Sequence, residues 1–121
     1  MALETSSERG QWAESLAEQF LQRKGLKSLQ RNYRCKSGEI DLIMLEREMV
    51  VFVEVRYRQG SRYGSGADSV TAKKRRRLVA TAQRYVQQSG GPEPPCRFDV
   101  VSISSRDGHP HIDWIQNAFD A

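Results

Sequence analysis

The amino-acid sequence predicts an α/β fold in which a mixed sheet of four to five strands is flanked by two helices, in the order αβββαββ. Two stretches repeat apolar residues at helical spacing, and short runs rich in Val, Ile, Leu and Phe lie beside them. The second helical stretch joins the third strand to the fourth, and a connection of that length lets those strands lie parallel. The 121 residues fit one domain spanning 1–121.

The predicted elements follow from apolar spacing and from stop signals. Trp12, Leu16 and Phe20 form one helical stripe, and Gly25 is typical of the residue that follows a helix. The glycine-rich segment from Gln59 to Asp68 is predicted to be a loop. We expect helices at Ser7 to Lys24 and Ser69 to Gln88, and strands at Leu26 to Cys35, Glu39 to Leu45, Val50 to Tyr57, Arg97 to Ser104 and His111 to Ile115.

Charged residues interrupt two of the apolar runs. If residues 46–49 form a hairpin loop, Asp41 faces Glu54 across the two strands, and Glu39 faces Arg56. All four side chains are then predicted to share one face of the sheet, because successive strand residues alternate between its sides.

Two interpretations of Asp41 and Glu54 stay open. Directly opposed carboxylates repel each other, and a divalent cation converts that repulsion into chelation. Oxygen ligands of this kind suit magnesium or manganese. In the alternative, Asp41 is a strand-end carboxylate in water, and Glu39 forms an ordinary cross-strand ion pair with Arg56. Alternation does not decide between them, because both faces of these strands are apolar.

The charge balance favours an anionic partner. Lys and Arg total 19 against 15 for Asp and Glu, which gives a net charge of +4, and the sequence pI is about 9.3. No apolar run approaches the roughly 20 residues that span a bilayer. We therefore expect a cytoplasmic protein with no membrane partner, in which Cys35 and Cys96 are free thiols.

One lysine of the basic run 73–77 is predicted to face the sheet. At helical spacing Lys74 shares a stripe with Leu78, Ala82 and Tyr85, which is the stripe that packs on the strands. The alternative is that Lys74 extends along apolar surface to water.

The segments Gly38-Glu39-Ile40-Asp41-Leu42-Ile43 and Val51-Phe52-Val53-Glu54-Val55-Arg56 closely resemble the YraN family of small bacterial proteins. That family belongs to the restriction-endonuclease-like, or PD-(D/E)xK, superfamily and is similar to archaeal Holliday-junction resolvases. The resemblance covers nearly the whole chain, including Glu14, Asn32 and Lys74. The sequence departs from the superfamily motif at Arg56, where the motif carries lysine.

The resemblance implies a restriction-endonuclease-like fold and a metal-dependent nuclease that acts on DNA, with branched DNA as one candidate form. Asp41, Glu54 and the main-chain carbonyl of Val55 would hold Mg²⁺ or Mn²⁺, and Arg56 or Lys74 would orient water or phosphate. The supporting site residues are Glu39 and Glu14, and the expected nucleic-acid contacts are Asn32, Arg58, Arg62, Lys73 and Arg75. The alternative is a binding module that keeps this fold without turnover. A homodimer would present two sites to branched DNA.

Overall fold

The computed structural model describes residues 6–59 and 70–119, and within these ranges it contains two helices and five strands. The predicted order αβββαββ is confirmed. The elements are α1 (Ser6–Arg23), β1 (Lys27–Cys35), β2 (Gly38–Glu46), β3 (Met49–Gln59), α2 (Ala72–Ser89), β4 (Cys96–Arg106) and β5 (His109–Phe119). Neither described helix is long and apolar enough to cross a bilayer.

The five strands form one mixed sheet in the order β1-β2-β3-β4-β5. β3 and β4 pair in parallel, and the other neighbours pair antiparallel. The parallel pair follows from the crossover through α2, as the sequence predicts. The final strand is longer than the predicted His111 to Ile115. The side chains of β5 are mostly exposed. The length of β5 therefore depends on backbone pairing with β4 and not on a pattern of apolar residues.

Each face of the sheet is covered by one helix. On one face, Ala13, Ala17 and Leu21 of α1 pack against strand residues such as Val51 and Val53. On the other face, Leu78 and Ala82 of α2 pack against a second cluster that contains Ile43, Phe52 and Phe98. Burial on both faces explains why β2 and β3 read as nearly continuous apolar runs.

The predicted hairpin register is confirmed as far as the ladder runs. Leu45 pairs with Val50, and the pairing continues to Leu42 with Val53. The loop is shorter than the predicted four residues, because positions 46 and 49 are also paired. Arg47 adopts a φ of 56°, which suits a tight turn. Beyond Leu42 the paired register of β2 and β3 ends, and Asp41 lies at that point.

The paired register of β2 and β3 does not extend to Glu39 and Arg56, so the placement of Glu39 opposite Arg56 stays a prediction. On the other edge of β2, Glu39 pairs with Arg34 of β1, whose Nε donates to Glu39 Oε2 over 2.9 Å. The alternation of β2 breaks near this point, since Ile40 and Ile43 are three residues apart and yet belong to the same cluster beneath α2. The prediction of a single face for all four charged residues assumed unbroken alternation.

Asp99 joins β4 to β5 through a buried network. Its carboxylate accepts from Arg97 Nε at 3.0 Å, Trp114 Nε1 at 2.9 Å and the main-chain N–H of Asn117 at 2.9 Å. The Asp99 side chain is fully buried, and that of Arg97 is 14% exposed. This network gives Asp99 a structural role.

Replacing Asp99 with alanine is expected to lower the free energy of unfolding by about 3 to 5 kcal/mol, because the change leaves Arg97 as a largely buried charge without its main acceptor. Urea denaturation of both proteins would measure this difference. Asp113→Ala is the matched control, because the Asp113 side chain is 65% exposed. Equal losses in the two variants would contradict the assigned role of Asp99.

Candidate functional site

Asp41 and Glu54 meet where the β2–β3 ladder ends. Asp41 Oδ2 accepts a hydrogen bond of 2.8 Å from the main-chain N–H of Val55, so this carboxylate is an acceptor for the backbone of β3. The Glu54 side chain is only 8% exposed, and its Oε2 lies 2.6 Å from Lys74 Nζ. A buried carboxylate requires such a partner to offset its lost hydration.

Lys74 reaches Glu54 from the first turn of α2, which confirms the prediction that it faces the sheet. Thr71 caps this helix, with its Oγ1 accepting from Lys74 N over 3.1 Å. The Lys74 side chain remains 41% exposed. It can therefore contact both the buried carboxylate and a molecule in solvent.

The environment of Asp41 favours its protonated form. Burial raises the pKa of Asp41 to about 9, with further contributions from the hydrogen bond and the charge of Glu54 and from the charge of Glu14. The Val55 N–H acts in the opposite direction. Without a further cation, Asp41 thus holds a proton at neutral pH, as a buried carboxyl group beside another carboxylate does.

A second group of carboxylates lies on the side of α1. Glu14, Glu39 and Asp41 each place one oxygen within 4.8 Å of the others. With its amide nitrogen facing these groups, Asn32 donates to Glu14 Oε1 at 3.1 Å and to Glu39 Oε1 at 3.2 Å. Asn32 has a φ of 52° in β1, a conformation that Asn tolerates better than most residues. The structure therefore brings Asn32, Glu14 and Glu39 to the site that the sequence predicts.

Two arginines of β1 balance the charge of these outer carboxylates. Arg31 lies 3.7 Å from Glu14 and 3.5 Å from Glu18, and Arg34 lies 2.9 Å from Glu39. Sequence reasoning missed Arg31 and Arg34. No regular spacing marks them, since Arg31 lies two residues and Arg34 one residue from Tyr33, which is buried beneath α2.

Asp41 and Glu54 open into a cleft of about 510 Å³ between the ends of the strands and α2. Its walls combine carboxylates from the sheet with cations from the helix. The cleft is lined by Gly38, Glu39, Asp41, Glu54, Thr71, Lys73, Lys74, Arg77 and Leu78.

Comparison with known proteins identifies the family. A family model described as "Uncharacterised protein family UPF0102" matches residues 13–103, which include every site residue named above. The chain belongs to the UPF0102 family. It is 52% identical over 116 residues to a UPF0102 protein of Nitrosococcus oceani, covering 95% of this chain and 94% of that protein.

Other UPF0102 proteins match over similar lengths. A relative from Pseudomonas aeruginosa is 47% identical over 121 residues, covering 98% of this chain and 97% of the relative. A relative from Nitrosomonas europaea is 48% identical over 118 residues, covering 98% of each chain. The likeness therefore extends over the whole fold rather than over the hairpin motif alone.

Arg75 of this UPF0102 chain does not line the cleft. Its Nε donates to the carbonyl of Val70 over 3.1 Å, and its guanidinium lies 5.7 Å from the centre of the Phe119 ring. These contacts join α2 to the end of β5. Arg75 is also exposed, so its expected contact with nucleic acid stays a prediction beside this packing role.

The remaining basic residues occupy different positions. Lys73 is exposed and lines the cleft. Arg56 and Arg58 lie half-buried on β3, opposite Ser102 and Ser104 of β4. Arg62 and the predicted loop around it fall outside the described residues. Arg77 lines the cleft and was missed by sequence reasoning, although it follows Lys73 by one helical turn.

Because the folded-state pKa of Asp41 lies above the ordinary value of 3.8, the folded protein holds a proton that the unfolded chain has released. Metal-free protein is therefore expected to lose stability as the pH rises from about 4 to about 9. Asp41→Asn keeps an oxygen for the Val55 N–H and removes the titration. It should raise the free energy of unfolding at pH 8 by on the order of 1 kcal/mol.

Urea denaturation in chelator at several pH values would test this expectation for Asp41→Asn. Glu48→Gln is the matched control, because Glu48 is exposed in the hairpin turn. A wild-type stability that rises with pH across this window would contradict the assigned environment of Asp41.

Proposed function

We propose that this UPF0102 protein is a metal-dependent endonuclease that hydrolyses phosphodiester bonds in DNA, with branched DNA as a candidate substrate. The observation that carries the proposal is the pairing of Asp41 and Glu54 with Lys74 in one cleft. Phosphodiester hydrolysis needs groups that bind a divalent cation and groups that attract a polyanion, and this cleft contains both. The PD-(D/E)xK resemblance of the hairpin supports the same conclusion.

The donor set fits magnesium or manganese. Asp41 and Glu54 would supply the oxygens, joined by the Val55 carbonyl, as the resemblance implies. Oxygens of Glu14, Glu39 and Asp41 lie within 4.8 Å of one another beside them, so further oxygen donors surround Asp41. When bound, such an ion supplies a water of lowered pKa and offsets charge on the scissile phosphate.

The cationic side chains would position the substrate. Lys74 holds its charge beside Glu54 and is exposed enough to contact a phosphate. Lys73 and Arg77 line the same cleft and would draw the nucleic-acid backbone toward it. Arg56 stands at the motif's lysine position, but an arginine stays protonated and serves as a phosphate ligand rather than a proton donor.

A second candidate is a nucleic-acid-binding or partner-binding module without turnover. It is favoured by the Lys74–Glu54 ion pair, since Lys74 already neutralises the buried carboxylate without a metal ion. The paired carboxylates favour the enzyme, because a binding module gains nothing from keeping Asp41 beside Glu54. In either case DNA as partner implies a cytoplasmic location, and a two-fold dimer would present two centres to a junction.

The nuclease proposal predicts cleavage of linear, single-stranded, flap or four-way junction DNA in magnesium or manganese, and none in chelator. Lys74→Ala should lower turnover by about 100-fold and binding much less, because charge at the reacting phosphate acts mainly on the transition state. Arg56→Lys should preserve or raise activity. Lys27→Ala is the control, since Lys27 is exposed at the opposite end of the sheet.

Tight DNA binding without cleavage by both wild type and Arg56→Lys, on every substrate, would favour the binding module and end the nuclease proposal. Absence of DNA binding would end the nuclease proposal and leave only the partner-binding form of the second candidate.

Metal binding can be tested separately from catalysis. Calorimetry with manganese should show one ion bound to the wild type and at least tenfold weaker binding to Asp41→Asn. Glu48→Gln should bind as the wild type does. An unchanged affinity in Asp41→Asn would remove Asp41 from the proposed ligand set.

A further inference from the structure

A second cleft lies on the other side of the β1–β2 turn. It has a volume of about 530 Å³ and is lined by Cys35, Lys36, Ser37, Arg84 and Gln88. The first cleft begins at Gly38, the next residue along the chain. One turn therefore separates the two clefts, and α2 forms a wall of both.

Four of the six residues of α2 that line these clefts form one row. Lys73, Arg77, Arg84 and Gln88 fall within about 60° of one another around the helix, and Lys73 and Arg84 are about 16 Å apart along it. All four are exposed. The row runs beside the buried stripe that contains Leu78, so its side chains border the sheet rather than point away from it.

Gly38 fixes the turn against this row. A Cβ atom at position 38 would lie 3.3 Å from Thr81 Oγ1 and 3.7 Å from Arg77 Cβ, and the φ of Gly38 is 150°. Contact this close leaves little room for a side chain. The turn therefore rests on α2 between the two clefts and places Lys36 in the second cleft together with Arg84.

The two clefts differ in charge. The first contains Glu39, Asp41 and Glu54 among its lining residues, whereas the described lining of the second contains two cations and no carboxylate. In the second cleft, Tyr33 Oη donates to Gln88 Oε1 over 2.5 Å and so orients that amide. Two cations with neighbouring hydroxyl and amide groups suit a phosphate that is bound and not cleaved.

We propose that the second cleft binds the phosphodiester backbone of the same nucleic-acid strand that enters the first, so that both clefts form one track along α2. The proposal rests on the proposed nucleic-acid function and adds a binding site outside the candidate active site. A single row of cationic side chains can contact the phosphate backbone of one nucleic-acid strand. The track therefore holds one strand for about 16 Å beyond the reacting phosphate.

Fluorescence anisotropy with a labelled 12-nucleotide single strand, in chelator to prevent cleavage, tests the track. Arg84→Gln and Lys36→Gln should each weaken binding by about five- to tenfold and lower the salt slope by about 0.7, the value for one single-strand phosphate contact. Arg76→Gln is the matched control, because Arg76 is exposed on the same helix and lines neither cleft. Arg76→Gln should bind as the wild type does.

A thiol footprint provides a second measurement on the wild-type protein. Cys35 lines the second cleft, whereas Cys96 begins β4 at the opposite end of the sheet. The 12-nucleotide strand should slow the alkylation of Cys35 and leave that of Cys96 unchanged. Equal protection of both thiols, or of neither, would overturn the track.

The outcomes separate this proposal from the proposed function. If Lys73→Gln weakens binding while Arg84→Gln and Lys36→Gln match the wild type, the strand reaches only the first cleft, and the track is wrong while the function stands. If the wild type binds no single-stranded or branched nucleic acid at low salt, both proposals fail.

Discussion

The burial of Glu54 next to Asp41 is the constraint on which the rest of the site depends. Two carboxyl groups at the end of a strand ladder need a proton, a cation or N–H donors, and the protein supplies all three. Val55 donates its N–H to Asp41, Lys74 contacts Glu54, and the raised pKa of Asp41 keeps a proton there. α2 begins at Ala72, and this start brings Lys74 over the sheet, where it contacts Glu54.

The site is kept at a cost to stability that the surrounding layers offset. Closely placed carboxyl groups oppose folding as the pH rises, whereas apolar side chains cover both faces of the same strands. Arg31 and Arg34 confine the excess negative charge to the cleft, since they pair with Glu14 and Glu39 at its outer side. Repulsion is thus retained at Asp41, which lies beside Glu54 and Glu14, and a bound cation would relieve it.

The sequence predicted those parts of the fold that depend on regular periodicity. The β2–β3 register follows from two apolar runs, and the inward position of Lys74 follows from a helical wheel. The sequence did not predict the break in alternation between Ile40 and Ile43. Such a break depends on backbone geometry, and no residue type marks it unambiguously in the sequence.

The contacts of Arg75 with Val70 and Phe119 were also not predicted, because these residues come near Arg75 only in the folded chain. The sequence of a basic run does not show which of its residues pack against the protein and which of them face a ligand. In this run Lys74 contacts the sheet, Arg75 contacts β5, and Lys73 and Arg77 line the cleft.

The position of Lys74 bears on the proposed nuclease mechanism, because Arg56 stands where the resembled motif carries lysine. Arginine cannot give up a proton in the way a desolvated lysine can, so the proposed mechanism takes its lysine from another element. Lys74 Nζ reaches Glu54 from α2. The same helix carries the row of cations that we propose to bind the substrate strand. In the proposed mechanism one rigid helix therefore sets both where the strand lies and where the reacting phosphate meets its cation, and a shift of α2 would change both together.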